Sequence, residues 1–359
     1  MTKHFGRALA VASLVATGLG CGAGLGDATP APSRSASATT DSTDVTLSAV
    51  GDTILGSTPS LPSDPKHYLD PIDHVLTAGA QIVFANLEGT LTTASTSKCP
   101  AHDSECFAFR NPPRYAGYLA ADGFTILNDA NNHSFDFGKA GQQQTIRSIH
   151  HAGMAQTGRI GQITVVDAGG HKVAFLGFAP YDYTASLLDL KTAAAMIQKA
   201  KTEASIVVVY MHAGAEGSDR THVTGEEEYA FGEDRGNAEA FAHMAIRNGA
   251  ALVIASGPHV LRGMEFFRGH LIAYSLGNFA NFHNFGSGGV LSDSAILHVT
   301  LSPTGGFVTG ALTSVLLDGD GRPSLGGDSL SLVRSLSRED FGSHAARIGD
   351  EGLIRRPAG

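Results

Sequence analysis

The sequence predicts an α/β protein in which helices cover one sheet and a second sheet lies beside it. Three observations lead there. Runs that are apolar at nearly every position, such as "VTLSAV" and "IVVVYM", alternate with stretches of helical pattern. A strand without alternation is buried on both faces, which is the habit of sheets covered by helices. From Met264 onward strand patterns dominate, and they call for a second sheet. The 359 residues are 42% hydrophobic and 16% charged, enough apolar material for a large core; length permits one large domain or two smaller ones.

Taken in order, the first predicted strand is Val45–Val50, followed at once by Gly51-Asp52. Residues 71–78 read as a short helix with Ile72, Val75 and Leu76 on one face. A strand over 82–85 follows, ending in Asn86-Leu87-Glu88. The segment 90–113 has no regular pattern. A helix over 114–121 stops at Gly123, and a strand over 124–127 ends in "NDANNHS". A helix over 140–152 points Ile146 and Ile149 inward and stops at Gly153. Residues 163–167 and 172–178 form a hairpin around Gly169-Gly170. Then come a helix over 190–202, the buried strand 206–211 ending at His212, a helix over 237–247 stopped by Gly249, and a strand over 251–255 ending in Ser256-Gly257-Pro258-His259. Strands over 264–267, 271–274, 296–301 and 307–317 close the body. From Asp318 the chain turns polar and Gly-rich, a C-terminal extension over 318–359; its "DGDGRP" reads as a turn.

The N-terminus reads as an export signal. Lys3, His4 and Arg7 precede an apolar stretch from Ala8 to Leu19, too short for the ~20 residues of a membrane span but suited to a signal peptide. It ends at Leu19-Gly20-Cys21, which resembles a bacterial lipobox, with Gly18 where that pattern prefers a larger apolar residue. The expectation is an exported, extracytoplasmic protein whose signal spans 1–21 and whose Cys21 carries a membrane-anchoring lipid; free secretion is the alternative. Residues 22–44 are Ala, Ser, Thr, Pro and Gly with little bulky apolar content, a disordered tether. Cys99 and Cys106, an even pair in an oxidising compartment, suit a local disulfide; a pair of metal-binding thiolates is the other reading. The net charge is −9 and no Lys/Arg cluster marks the body, which speaks against a sequence-independent grip on nucleic acid.

Five apolar strands thus end in polar groups able to bind metal: Asp52, Glu88, Asn132-His133, His212 and His259. Loops at the carboxyl ends of strands in such sheets converge on one edge, where ligands bind. Each residue has an ordinary alternative: a turn for Asp52, a cap for Glu88, a hydrogen-bonded core imidazole for His212, a loop position for His259. Carboxylate, amide and imidazole without thiolate suit Mn, Fe or Zn rather than a structural Cys-type zinc. More than four candidates leave room for one or two divalent ions, and two can clamp both oxygens of a phosphoryl displacement.

The segments "VGDTILG", "FANLEGTL", "NDANNHSFDFG", "VVVYMHAGAEG" and "SGPHVLRGMEFFRGHLIAYSLGNF" together resemble the CapA family, named for poly-γ-glutamate capsule synthesis and related to calcineurin-like metallophosphoesterases. The resemblance covers 45–282, more loosely to 317, and implies a CapA-like domain over 45–317. The fold it implies is a four-layer α-β-β-α sandwich of two mixed sheets. By resemblance Asp52, Glu88, Asn132, His212 and His259 are metal ligands, Glu88 able to bridge two ions, and His133 is the general acid. Glu216, Arg262 and Asn278 lie in the same motifs as candidates for outer-sphere or substrate contacts, with a structural role as the alternative for each. The phosphoesterase pattern has imidazoles at the positions of Ile54 and Gly257, so one metal subsite here lacks them. The implied activity is metal-dependent hydrolysis of a phosphoester in capsule or cell-envelope polymer metabolism. The alternative is a non-catalytic export or retention factor that binds an anionic envelope polymer through the metal or Arg262.

Overall fold

The computed structural model describes residues 43–100 and 106–358. The signal peptide, Cys21 and all but the last two residues of the predicted tether lie outside the described residues. No helix among the described residues is long and apolar enough to cross a membrane.

The protein is a four-layer α-β-β-α sandwich of two mixed sheets. In the ten-stranded first sheet, Val45–Thr53 lies between Ile82–Leu87, parallel to it, and Asp293–Leu301, antiparallel. Ile126–Asn128 and Ala155–Thr157 continue the parallel side, and Phe307–Leu317 extends the antiparallel side. The second sheet runs Met264–Phe267, His270–Ala273, Leu252–Ser256, Ile206–His212, His171–Phe178 and Thr164–Ala168. Its four inner strands are parallel to one another.

The strand "IVVVYMH" shows why no alternation was visible. Ile206, Val208 and Tyr210 face the first sheet, where they meet Phe84 and Ile126. Val207, Val209 and Met211 face the helices Leu190–Glu203 and Ala238–Arg247 through Ile197 and Phe241. Side chains alternate between faces with period two, but both faces are buried, so both carry apolar residues. Phe84 stacks on Phe175 with centroids 5.8 Å apart across the inter-sheet layer. The outer face of the first sheet, with Val83, Ala85 and Leu127, is covered by Leu76, Leu119 and Ile149 from three helices.

Strand ends moved by up to three residues from the predicted bounds. His212 is the last residue of its strand rather than the first of a loop. The predicted hairpin pairs Thr164–Ala168 with His171–Phe178. Both turn glycines have positive φ, 59° at Gly169 and 78° at Gly170, as a two-residue hairpin loop requires. Unpredicted are the strand Ala155–Thr157, the short parallel pair Thr90–Leu91/Arg110–Asn111 inside the segment expected to be irregular, the strand Asn278–Ala280, parallel to Val45–Thr53, and the hairpin Glu228–Ala230/Glu233–Gly236. The latter is written "EYAFGEDRG", whose charges hide any strand pattern. Residues beyond 317 extend the first sheet: Pro323–Leu325 and Leu353–Arg355 pair with Phe307–Leu317. The helix Ser329–Phe341 buries Val333 and Leu336. "DGDGRP" is a turn, with Asp318 Oδ1 accepting from the backbone N–H groups of Asp320 and Arg322, both at 2.9 Å.

Candidate metal centre

The site sits where the carboxyl ends of parallel strands from both sheets meet. Asp52 is near the end of its strand, opposite Asn86 and Asn278 in register. That register needs a close backbone approach. A Cβ on Gly51 would lie 1.9 Å from the Gly277 carbonyl oxygen, and this carbonyl accepts from the Asp52 N–H at 2.9 Å. Glycine at 51 is therefore a packing requirement.

Asn86 organises the carboxylates. Its Nδ2 donates to Asp52 Oδ1 at 2.8 Å and to Glu88 Oε2. Its Oδ1 in turn accepts from Asn128 Nδ2 at 2.7 Å and Asn131 Nδ2 at 2.9 Å. From the second sheet, the Ser256 hydroxyl donates to Asp52 Oδ1. Tyr210 Oη contacts Ser256 Oγ at 2.6 Å and His212 Nδ1 at 3.1 Å. His212 Nε2 therefore points to Glu88 Oε1, 3.6 Å away. The ligand atoms of Asp52, Glu88 and His212 all lie within 4.8 Å of one another, and the three residues are fully buried.

Whether these residues fit a cation can be judged from what they lack. Glu88 Oε1, Asn132 Oδ1 and His212 Nε2 are buried without a hydrogen-bond partner. Asp52 Oδ2 meets only His259 Nδ1, at 3.2 Å. Orphaned buried acceptors are costly, and those of Asp52, Glu88 and His212 are collected together. Burial pushes the His212 pKa down to about 3, leaving a neutral imidazole with a lone pair. Burial, then the charge of Asp52, raises Glu88 well above the usual carboxylate range. Burial acts on Asp52 in the same sense, but the hydrogen bond and charge of His259 outweigh it and hold Asp52 low. A divalent cation relieves every one of these strains, so the donor set fits a metal of the Mn, Fe or Zn kind.

Above this cluster opens a cleft of about 690 Å³ lined by Asn132, His133, Glu216, Arg235 and His259 among others. His133 Nδ1 bonds Asp136 Oδ2 at 2.9 Å, and its ring packs on Phe109 with centroids 4.3 Å apart. Asp136 is fully buried and also holds Lys98 Nζ at 2.7 Å and the Phe109 N–H at 2.6 Å. This fixes the His133 ring and turns Nε2 to the cleft. His259 stacks on Phe285, centroids 4.3 Å apart, and its backbone has φ 61°, a left-handed conformation that a side-chain-bearing residue seldom adopts.

The other expected residues divide. Asn278 Oδ1 accepts from His259 Nδ1 at 2.9 Å. Glu216 Oε1 pairs with Arg235 Nη2 at 2.7 Å and lies on the cleft wall. Arg262 is buried elsewhere: Nη1 and Nη2 fork onto Glu228 at 2.8 and 2.7 Å and Nε donates to the Arg220 carbonyl at 2.8 Å. Cys99 and Cys106 are joined in a disulfide, Cα atoms 5.5 Å apart, next to Lys98. Sequence reasoning did not single out Asn86, Asp136, Tyr210 or Arg235. Asp136 had a signal, three residues after His133 and within one turn's reach, and Asn86 stands two before Glu88, on the same strand face. Arg235 had none.

Residues 46–283 match the family described as bacterial capsule synthesis protein PGA_cap. The chain is 29% identical over 205 residues to the PGA biosynthesis protein CapA of Bacillus subtilis (strain 168), 51% of this chain and 49% of that protein. It is 27% identical over 222 residues to the capsule biosynthesis protein CapA of Bacillus anthracis, 56% of this chain and 50% of that one. The chain thus spans about half the length of the curated relatives it matches. Among solved structures, a 5′-nucleotidase precursor from Thermus thermophilus aligns with a TM-score of 0.42 at 13% identity, over 76% of this chain and 54% of that chain.

Proposed function

The chain belongs to the bacterial capsule synthesis protein family PGA_cap, and from that premise we propose that its cleft hydrolyses a phosphoester with a divalent metal, in capsule or cell-envelope polymer metabolism. The observation that carries this reading is the set of buried, unpartnered donors on Asp52, Glu88, Asn132 and His212, beside an imidazole with one free nitrogen. Asp52, Glu88 and His212 would hold the ion, with Asn132 at the cleft side. When bound, a divalent ion supplies charge stabilisation to the phosphoryl oxygens and an activated nucleophile at neutral pH. His133 Nε2 gives its proton to the leaving oxygen. Asp136 keeps the ring oriented by accepting from Nδ1. Lys98, on the far oxygen of Asp136, holds that carboxylate in place. The aromatic rings of Phe109 and Phe285 wall the cleft and limit the water that reaches the reacting atoms.

Metal content measured beside a broad phosphoester panel tests the reading. Metal-dependent turnover by the purified protein is expected. A metal-loaded protein that hydrolyses nothing but retains poly-γ-glutamate would replace it with the binding-factor reading. In that case the metal rather than Arg262 would be the anchor, because Glu228 and Arg220 already engage every nitrogen of that guanidinium. We place the protein outside the cytoplasm, tethered through lipid on Cys21; Cys21→Ser is expected to move it from the membrane fraction to the soluble one.

A further inference from the structure

We infer that Phe107 and Phe231 form a subsite of the cleft that grips an uncharged ring on the substrate, the group esterified to the phosphate, and so set its specificity. The inference rests on the phosphoesterase reading above. Exposed apolar side chains scattered singly are ordinary. These two are the exposed phenylalanines among the described residues, at 57% and 82%, and both line the same cleft. They come from distant parts of the chain. Phe107 follows Cys106, whose disulfide to Cys99 ties down the segment that carries it. Phe231 sits at the tip of the hairpin Glu228–Ala230/Glu233–Gly236. Its φ is 52° and that of Gly232 is 78°. A two-residue loop with both φ positive favours Asn-Gly, and a bulky residue there is an outlier. Neither packing nor turn geometry accounts for a phenylalanine at this tip. A ligand that buries its ring does.

The rest of the lining is aromatic as well. Tyr181 and Tyr183 stack with centroids 5.4 Å apart and planes 8° from parallel, and Phe135 extends the stack at 4.9 Å from Tyr183. Phe109 and Phe285 meet edge to face at 5.3 Å. Such faces take up flat apolar surfaces by stacking. Charge narrows the class further. The lysine and the arginine of the described lining are already paired, Lys98 with Asp136 and Arg235 with Glu216 and Glu233. A second anionic group on the substrate would therefore meet the carboxylates of Glu216 and Glu233 rather than an unpaired cation. A sugar and a heteroaromatic base share the chemistry that fits: a flat, uncharged ring with hydrogen-bonding edges. Asn284 Nδ2, which has no partner and lies in the lining, and the Glu233 carboxylate are the donor and acceptor for those edges. The cleft, about 690 Å³, has the size of a site for one such ring and its phosphate.

The test compares phosphate monoesters of primary alcohols, whose leaving oxygens are similar in acidity, on the metal-loaded full chain: glucose 6-phosphate, adenosine 5′-monophosphate and the ring-free glycerol 3-phosphate. The wild type is expected to prefer a ringed ester to glycerol 3-phosphate by about tenfold or more in kcat/KM; which of the two it prefers tells sugar from base. Phe107→Ala and Phe231→Ala are each expected to lower kcat/KM for that ester about tenfold, with glycerol 3-phosphate turnover and metal content unchanged. Phe231→Asn separates binding from folding. Asparagine suits the turn, so this variant should melt higher than the parent and still lose the preference. Equal turnover of all three esters by the wild type, or a preference kept in either alanine variant, overturns the inference and leaves the phosphoesterase reading standing. If no ester is turned over, calorimetry with the same three compounds takes the place of kinetics. Ring-dependent binding that is lost in Phe231→Ala then sustains the subsite while the phosphoesterase reading falls. Binding without regard to the ring, or no binding, overturns both.

Discussion

His133 and His212 are both imidazoles of one edge, yet their surroundings assign them opposite duties. His212 is sealed between the sheets with Nε2 aimed at Glu88; His133 rests on Asp136 at the cleft. His212→Ala is expected to lose metal and turnover together. His133→Ala is expected to keep its metal and lose ~100- to 10,000-fold in kcat, with partial recovery on a substrate whose leaving group is strongly acidic. Equal metal loss in both variants would remove the general-acid role. A second residue-scale expectation concerns Asp129, 1% exposed and pushed by burial up to about 7 from an ordinary 3.8. The folded state keeps a proton that the unfolded chain has released. This contribution is complete below about pH 3.8 and is lost as pH rises through 7. Asp129→Asn cannot titrate, so urea melts should show it more stable than the parent at about pH 8, on the order of 2 kcal/mol, with little difference at low pH. At this scale the sequence was most legible. Asp52, Glu88, Asn132, His133, His212 and His259 announced themselves because apolar runs stop at them. Tyr210 did not, because it sits inside an apolar run where a polar side chain reads as an interruption, and Asn86 did not, because the charged Glu88 two residues on is the stronger ligand candidate at the same strand end.

At the scale of elements, the hairpin Glu228–Gly236 is the piece that carries Arg235 to the cleft, and Arg262 holds its base. The Glu228 carboxylate takes the Arg262 fork and also the Ala215 N–H at 2.9 Å, fixing the loop that bears Glu216. Arg262→Ala leaves that carboxylate without its partner. Removal of one member of a buried pair costs about 3–5 kcal/mol, so a denaturation midpoint well below the parent's is expected. Arg262→Ala/Glu228→Ala should recover part of the loss; a double variant no better than the sum of the singles would argue that the pair does not act as a unit. Neither the hairpin nor the strand Asn278–Ala280 was foreseen. Short strands carry few positions on which a pattern can show, and "EYAFGEDRG" places charges on both faces because little of it is buried. The long strands and the helices Gly138–His151 and Leu190–Glu203 were readable for the opposite reason: each has a buried face long enough to repeat its period.

For the whole molecule, the sequence implied two sheets but not which strands belong to which. Strands 164–273 form the second sheet as one unbroken segment, whereas the first is assembled from both ends of the body. The polar stretch after Asp318 gave no hint that it completes the first sheet, since its buried residues, Val333, Leu336, Ile348 and Ile354, are spread thinly among polar ones. A chain ending at Leu317 keeps every candidate ligand but loses about 1.5–3 kcal/mol for each of these side chains, a sum comparable with the whole stability of a domain. Such a truncation is expected to sediment as aggregate or to purify without metal; a soluble, metal-loaded product would show the last segment to be dispensable. The same topology sets an order in time. The strand that presents Asp52 has one neighbour soon after it emerges, Ile82–Leu87, but its other flank is made by Asn278–Ala280 and Asp293–Leu301. At about 5–20 residues per second of synthesis, roughly 10–50 s separate the two. Throughout that interval the acidic strand at the heart of the site is an open edge, able to pair with the wrong partner. The centre that would do the chemistry is among the last places in the molecule to come into being.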